Sequence, residues 1–314
     1  MTPRASLLSV PTALAYQDGA LYYPSSATVT PAIQTMSVGD ASVQPLTMTW
    51  PGAPVSIDTL WAEGDHLLLT AFEQFYSLPL AGGAVQPIYD GAETTDADSN
   101  LQAFSETDFF WTDLAYNSQD VFSTTVRRGA RGGGPPIDLG TLPNIFQGMA
   151  LGADALILGG PGTAVAVPLD GGPARPLADV RTFFAGVDAS GVYWSVVSAS
   201  NPDDAQILRS PADGSPGQVF WPSIPPWTAP LGVWPDGQGG WVVTASQVLD
   251  DRLFHLTVWS IDAGGNGQLL ACDPDVAGHA FPATFGPAIA PDAVYLVTGY
   301  LGDGGLWEID RVAR

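Results

Sequence analysis

The sequence predicts an all-β fold: a seven-bladed β-propeller with four-stranded antiparallel blades, its ring closed by the N-terminal strand inside the last blade. Three observations predict it. Residues 76–89, YSLPLAGGAVQPIY, return in pattern at 165–178, VAVPLDGGPARPLA. Both read as two apolar runs around a Gly-Gly turn, where glycine supplies the positive φ of a tight hairpin. The chain holds 36 glycines and 28 prolines in 314 residues, which would interrupt almost any amphipathic helix. Repeats of this kind recur along the whole chain, so residues 1–314 read as one domain.

Taken in order, the glycine turns are VGDA (38–41), AGGA (81–84), RGGG (131–134), DGGP (170–173), DGSP (213–216) and AGGN (263–266). Their first glycines are 39 to 50 residues apart. Upstream of each lies a polar turn followed by an apolar run: DGALYY (18–23), GDHLLL (64–69), TDFFW (107–111), ADALIL (153–158), SGVYW (190–194) and GGWVV (239–243). A seventh such phrase, PDAVYL (291–296), is followed by GLWEID (305–310) and then by the last residue, Arg314. Each unit therefore reads strand, turn, strand, variable loop, strand, glycine turn, strand, which is the pattern of a propeller blade. The seventh lacks a fourth strand. Two candidate strands, RASLLSV (4–10) and TALAY (12–16), precede the first DG turn, and the surplus one fits as the missing outer strand beside 305–310. Such a closure removes an open sheet edge.

The repeated DG-apolar-YW and PLDGG phrases resemble TolB-like and related bacterial propeller repeats. The resemblance implies a fold, and this fold hosts binding proteins, scaffolds and enzymes alike.

Composition narrows the partners. There are 27 Asp and 5 Glu against 10 Arg, with no lysine, for a formal net charge of −22. Phosphate backbones would be repelled, so no nucleic acid partner is expected. Without lysine, Schiff-base chemistry and a P-loop are excluded. No apolar run reaches the roughly 20 residues of a membrane-spanning helix. The N-terminus, MTPRASLLSVPTALAY, is a poor signal peptide as written. An extracellular or periplasmic location is expected if a signal was removed, and a monomer is expected.

Candidate chemistry follows from where such a fold puts its residues. The first strands would line a channel with Ala15, Trp61, Ala103, Met149, Gly186, Val233 and Ala288, none of them charged. Asp18, Asp108, Asp154, Asp188, Asp236 and Asp292 read as turn residues, as do Asp170, Asp213 and Asp262 at the glycine turns. The remaining acids fall in second-to-third and fourth-to-first connections, which share the top face. DADSN (96–100) opens like an EF-hand loop, so Asp96, Asp98 and Asn100 are the calcium candidates, although Leu101 and Trp111 depart from that motif. No other cofactor is expected.

His66 and His255 read as structural. His279, with Asp273 and Asp275 nearby in sequence, is the candidate general base. Cys272 reads as a half-buried hydrophobe rather than a nucleophile. Trp221 and Trp227 in WPSIPPWTAP, with Tyr116 and Tyr300 in loops, are the candidate stacking platforms for a ligand; packing of the two tryptophans at a blade edge is the competing reading. The leading expectation is a non-catalytic recognition or scaffold module binding a protein, peptide or glycan on its acidic top face. The alternative is a hydrolase or lyase at the channel mouth, built on His279, Asp273 and Asp275 and assisted by calcium.

Overall fold

A computed structural model describes residues 2–7, 13–25, 32–52, 57, 59–71, 74–89, 102–116, 122–177, 183–197, 205–222, 224–225, 228–248, 254–273, 287–299 and 307–314. Every regular element among them is a β-strand. The strands pair into four-stranded antiparallel units in the order the repeat requires.

From inner to outer strand, the first unit is Ala15–Gln17, Ala20–Ser25, Ala32–Ser37 and Val43–Pro45. The second is Thr59–Glu63, His66–Ala71, Gln74–Pro79 and Gln86–Tyr89. The third is Gln102–Phe104, Asp108–Tyr116, Phe122–Ala130 and Ile137–Leu142. The fourth is Gly148–Leu151, Ala155–Gly160, Thr163–Pro168 and Arg175–Pro176. The fifth is Phe183–Asp188, Gly191–Val197, Ala205–Pro211 and Gln218–Trp221. The sixth is Thr228–Pro235, Trp241–Val248, Phe254–Ile261 and Gly267–Asp273. The seventh is Ala288–Ala290, Ala293–Gly299 and Trp307–Ala313, and its fourth strand is Thr2–Leu7.

That last pairing runs antiparallel from Thr2 opposite Arg311 to Leu7 opposite Trp307. The surplus N-terminal strand thus begins two residues earlier than 4–10, and residues 8–10 lie outside the described ones. The inner strands of the fifth and sixth units run parallel where they touch: Gly186 opposite Val233 links the two units into one eight-stranded sheet. A short parallel pair, Met48–Thr49 with Gly83–Ala84, ties the first unit to the second and has no counterpart in the sequence reading.

The second strands explain the repeated apolar phrase. A strand with a neighbouring sheet on each face buries every side chain, so alternation disappears. Ala155–Gly160 is buried throughout, and Leu67, Leu68, Leu69, Val192, Tyr193 and Trp194 are all inaccessible or nearly so. The core is accordingly divided among the interfaces between units. Ile33 and Leu67 share a cluster between the first and second units. Phe75, Phe109 and Trp111 fill the next, and Phe110 packs with Leu158 between the third and fourth. Ile157 and Trp194 pack together, then Tyr193 with Val243, then Val242 with Val294. A further cluster joins Leu21, Tyr23 and Met36 of the first unit to Tyr295, Val297 and Ile309 of the seventh.

Close packing fixes one glycine sharply. A Cβ on Gly129 would lie 2.3 Å from Phe109 Cζ, so the aromatic ring occupies the place of a side chain on the adjacent strand. Burying aromatic rings between sheets contributes most of the apolar area at these interfaces.

Candidate functional site

Each unit has two edges. At one, the first strand turns into the second and the third into the fourth; many of the polar side chains at this turn edge hold the fold. Its aspartates do what their turns require. Asp170 Oδ1 accepts the Gly172 amide at 3.0 Å, Asp213 Oδ1 accepts Ser215 N at 2.8 Å, and Asp262 Oδ1 accepts Gly264 N at 2.8 Å. Asp236 Oδ1 accepts Gln238 N at 2.7 Å and Gly240 N at 2.9 Å. Asp108 departs from the turn reading: it starts a strand and pairs with Arg128, with Nε–Oδ1 2.9 Å.

The arginines are engaged as well. Arg131 Nη2 pairs with Glu63 of the second unit at 2.5 Å. Arg175 donates to the carbonyls of Ala212 and Asp213 at 3.0 and 2.7 Å, linking the fourth unit to the fifth. Arg209 donates to Ser190 O at 2.8 Å, and Arg311 pairs with Asp292 at 2.7 Å. Arg314 pairs with Asp236, tying the seventh unit to the sixth. Arg127, within the third unit, reaches both Asp113 at 2.8 Å and Asp138 at 2.9 Å.

These contacts set the carboxyl groups. Asp40 is lowered to about 2 by the Ser42 amide and hydroxyl. The Arg128 hydrogen bond holds Asp108 low, Ser215 does so for Asp213, and Asn266 for Asp262. At Asp236 burial pushes upward, but the amides of Gln238 and Gly240 and the Arg314 guanidinium outweigh it.

The opposite edge is where second-to-third and outer-to-inner connections leave. By sequence those connections hold fourteen carboxylates, among them Asp90, Glu93, Asp120, Asp203, Asp204, Asp250 and Asp251, against Arg181 and Arg252. Asp96, Asp98, Asn100, Trp227, Asp275, His279 and Tyr300 also belong to these connections and lie outside the described residues. Tyr116 and Asp273 end the strands Asp108–Tyr116 and Gly267–Asp273, and only their backbones are described. Among the described residues, no three His, Cys, Asp or Glu side chains are grouped to hold a metal ion.

Trp221 follows the competing sequence reading, packing at a blade edge, and not the stacking-platform one. It is 1% exposed, not a loop platform, and its ring centroid lies 5.2 Å from that of Trp259 in the sixth unit. A bulge between Ile207 and Leu208 in the strand pairing breaks the in-out alternation, so Phe220 and Trp221 both point inward. The connection to the sixth unit is residues 222–227, shorter than the loop read from sequence.

The inner strands carry the uncharged residues expected of them. Ala15, Ala103, Gly186, Val233 and Ala288 are buried, while Trp61 and Met149 are half-buried. Tyr16 stacks on Tyr295 at 6.4 Å, joining the first unit to the seventh, and Phe104 packs on Trp61 at 4.8 Å. His255 is buried in its strand at 2% exposure. His66 is partly exposed, with Nδ1 2.6 Å from Asp65 Oδ1 at the turn edge. Cys272 is half-buried, as read from sequence.

No protein-family model matches the chain, and no curated protein is similar in sequence. Solved structures are similar in fold. An oligogalacturonate lyase in complex with manganese superposes with a TM-score of 0.69 at 10% identity, over 94% of this chain and 86% of the other. The oligogalacturonate lyase of Vibrio parahaemolyticus also gives 0.69 at 10% identity, over 98% of this chain and 92% of its own. An acylaminoacyl peptidase gives 0.63 at 10% identity over 98% of this chain, which spans about half, 52%, of that protein. The fold is a β-propeller. At such identities the likeness concerns fold alone.

Proposed function

We propose that this chain is a seven-bladed propeller, closed by Thr2–Leu7 in the blade of Trp307–Ala313, that acts as a recognition or scaffold module. Its ligand is a protein, peptide or neutral glycan bound at the acidic loop edge. The continuous series of inter-unit core clusters, returning from the seventh unit to the first, supports the closed ring. A TolB-like type of propeller is part of the same reading, on the repeat phrases of the sequence.

The observation that carries the function is the charge layout. Arg128, Arg131, Arg175, Arg209, Arg311 and Arg314 make their contacts at the turn edge, while the connections of the loop edge hold, by sequence, fourteen carboxylates against two arginines. Such a face attracts cationic groups and raises their local concentration. It would repel the polyanion named for the two lyases, so their substrate is a poor match for this chain. Calcium is the ion that Asp96, Asp98 and Asn100 would take, through oxygen ligands alone.

The fold likeness to a lyase and a peptidase favours one second reading, a hydrolase or lyase. There His279 would be the general base, oriented by Asp273 or Asp275. The test is an array of cationic peptides, neutral glycans and acidic glycans, followed by two substitutions on the strongest binder. Trp227→Ala should weaken binding by about 1–3 kcal/mol, as for a stacked anchor, with His279→Ala near neutral. If His279→Ala instead abolishes a measured turnover, typically a loss of about 10²–10⁴-fold, the enzyme reading replaces the first.

A further inference from the structure

We propose that the outer strand of the sixth unit, Gly267–Asp273, is a strand-addition site for an extended basic peptide, separate from the loop edge. Outer strands end a sheet with unpaired N–H and C=O groups, and proteins protect such edges with proline, charge or brevity. Four outer strands here carry proline: Pro3, Pro45, Pro87 and Pro176. Ile137–Leu142 carries Asp138, tied to Arg127 at 2.9 Å. Gln218–Trp221 is four residues long, with its last two rings turned inward.

Gly267–Asp273 has none of these three devices; its one irregularity is a bulge at Leu270, between Leu269 opposite Trp259 and Ala271 opposite Val258. It is seven residues long and has neither proline nor charge from Gly267 to Cys272. Leu270 and Ala271 pack inward against the seventh unit, which anchors the strand, while Leu269 is 46% exposed. Its hydrogen bonding is open where it matters. Asp262 N donates to Asn266 O at 3.1 Å, which sets the antiparallel alternation. Leu269, opposite Trp259, therefore falls in a pair whose N–H and C=O face away from the third strand.

Charge selects the occupant. A second copy would bring −22 against −22 along this edge. A peptide alternating apolar and basic residues would instead pair its backbone with the edge and set an apolar side chain beside Leu269. Its cations would meet the carboxylate of Asp262, exposed and held ionised by Asn266, at the start of the strand. This is the backbone-addition mode of peptide recognition, with side-chain pockets replaced by a single apolar contact.

The experiment uses a fluorescein-labelled hexapeptide of alternating arginine and valine, followed by anisotropy on the full chain. Binding is expected, with N-methylation of alternate peptide amides weakening it by about tenfold or more, since charge is kept while hydrogen bonds are lost. Leu269→Pro, which removes only an outward N–H, should have a similar effect. Should that variant fail to fold, Leu269→Lys tests the same edge, and the N-methylated probe needs no variant. Equal binding of the N-methylated and parent peptides would reduce the effect to charge and overturn the proposal. So would no binding up to about 1 mM probe, or a dimer in sedimentation that Leu269→Pro dissociates. Asp203→Asn/Asp204→Asn, at the loop edge, should leave the N-methylation difference intact even if the recognition reading of that edge fails.

Discussion

Trp241 of the sixth unit donates its indole N–H to Asp188 of the fifth, with Nε1 2.9 Å from Oδ2. The same buried carboxylate accepts the Tyr193 hydroxyl at 2.7 Å and the Ser190 amide at 2.7 Å. Phe220 closes the group from outside, its ring edge-on to Trp241 at 4.7 Å and to Tyr193 at 4.8 Å. Burial, and then the Asp188 charge, push the Tyr193 phenol well above its usual range, so it stays a donor at all ordinary pH. One turn aspartate thus latches two units.

Removing that carboxylate leaves buried donors without an acceptor, at about 1–3 kcal/mol apiece. Asp188→Ala is expected to lower stability by roughly 3 kcal/mol, and Asp188→Asn by less, because an amide oxygen still accepts. Urea unfolding measures both. If Asp188→Ala leaves the midpoint in place, the latch contributes nothing.

Acid should destabilise the protein through the carboxylates of its turn edge. The carboxyls of Asp40, Asp108, Asp213, Asp236 and Asp262 lie below their ordinary value in the fold. Their contribution is complete above the unfolded value of about 4 and is lost as pH falls through the lower folded values. The urea midpoint is expected to drop between about pH 4 and pH 2, and Asp236→Asn should flatten part of that drop. A midpoint climbing steadily toward pH 2 would mean that relief of the net negative charge outweighs these pairs.

What the sequence disclosed depended on the range of the interactions. Asp170, Asp213 and Asp262 were legible because a glycine turn capped by an aspartate is decided within a few residues. The buried second strands were legible because two-sided burial writes a continuous apolar run such as ALIL at 155–158. For Trp221 the sequence left platform and packing both open, because its direction is set by a bulge against Ile207 and Leu208, thirteen or more residues away in the chain. The partners of Arg131, Arg175 and Arg314 were equally hidden, since each lies on another unit.

Trp221 makes a steric prediction. A Cβ on Gly267 would lie 2.6 Å from Trp221 Nε1 and 2.8 Å from Cε2. Gly267→Ala should therefore cost about 1–3 kcal/mol by overpacking, and Trp221→Ala about 3–5 kcal/mol by leaving a cavity. Differential scanning calorimetry on both variants decides whether the ring is wedged between the units as described; a Gly267→Ala protein as stable as the parent would show that it is not.

Screening should stabilise the chain. With a net charge of −22 and carboxylates at both edges, like charges repel over distances that salt shortens to about 10 Å at 0.1 M. The thermal midpoint is expected to rise between about 10 mM and 500 mM sodium chloride. Calcium at matched ionic strength should add more only where a specific site exists. A midpoint that falls with added sodium chloride would contradict the repulsion argument.

The strand Thr2–Leu7 offers the sharpest test of the architecture. It is the neighbour of Trp307–Ala313, with Ser6 opposite Glu308 and Ala5 opposite Ile309. Ile309 is itself fully buried in the cluster that joins the seventh unit to the first. Deleting residues 2–7 would leave Trp307–Ala313 as an open edge, and such edges pair with other chains. It would also uncouple the two ends of the sequence, a contact whose long loop closure adds stability only once the ring is assembled. The truncated chain is expected to aggregate on heating, by light scattering, and to melt earlier and less steeply. Restoring the deleted strand as a synthetic peptide should recover part of the lost midpoint, since its backbone groups can re-pair without the covalent link. A truncated protein with the parent's midpoint and cooperativity would show that the ring is not closed by this strand, and that the seven-bladed reading is wrong.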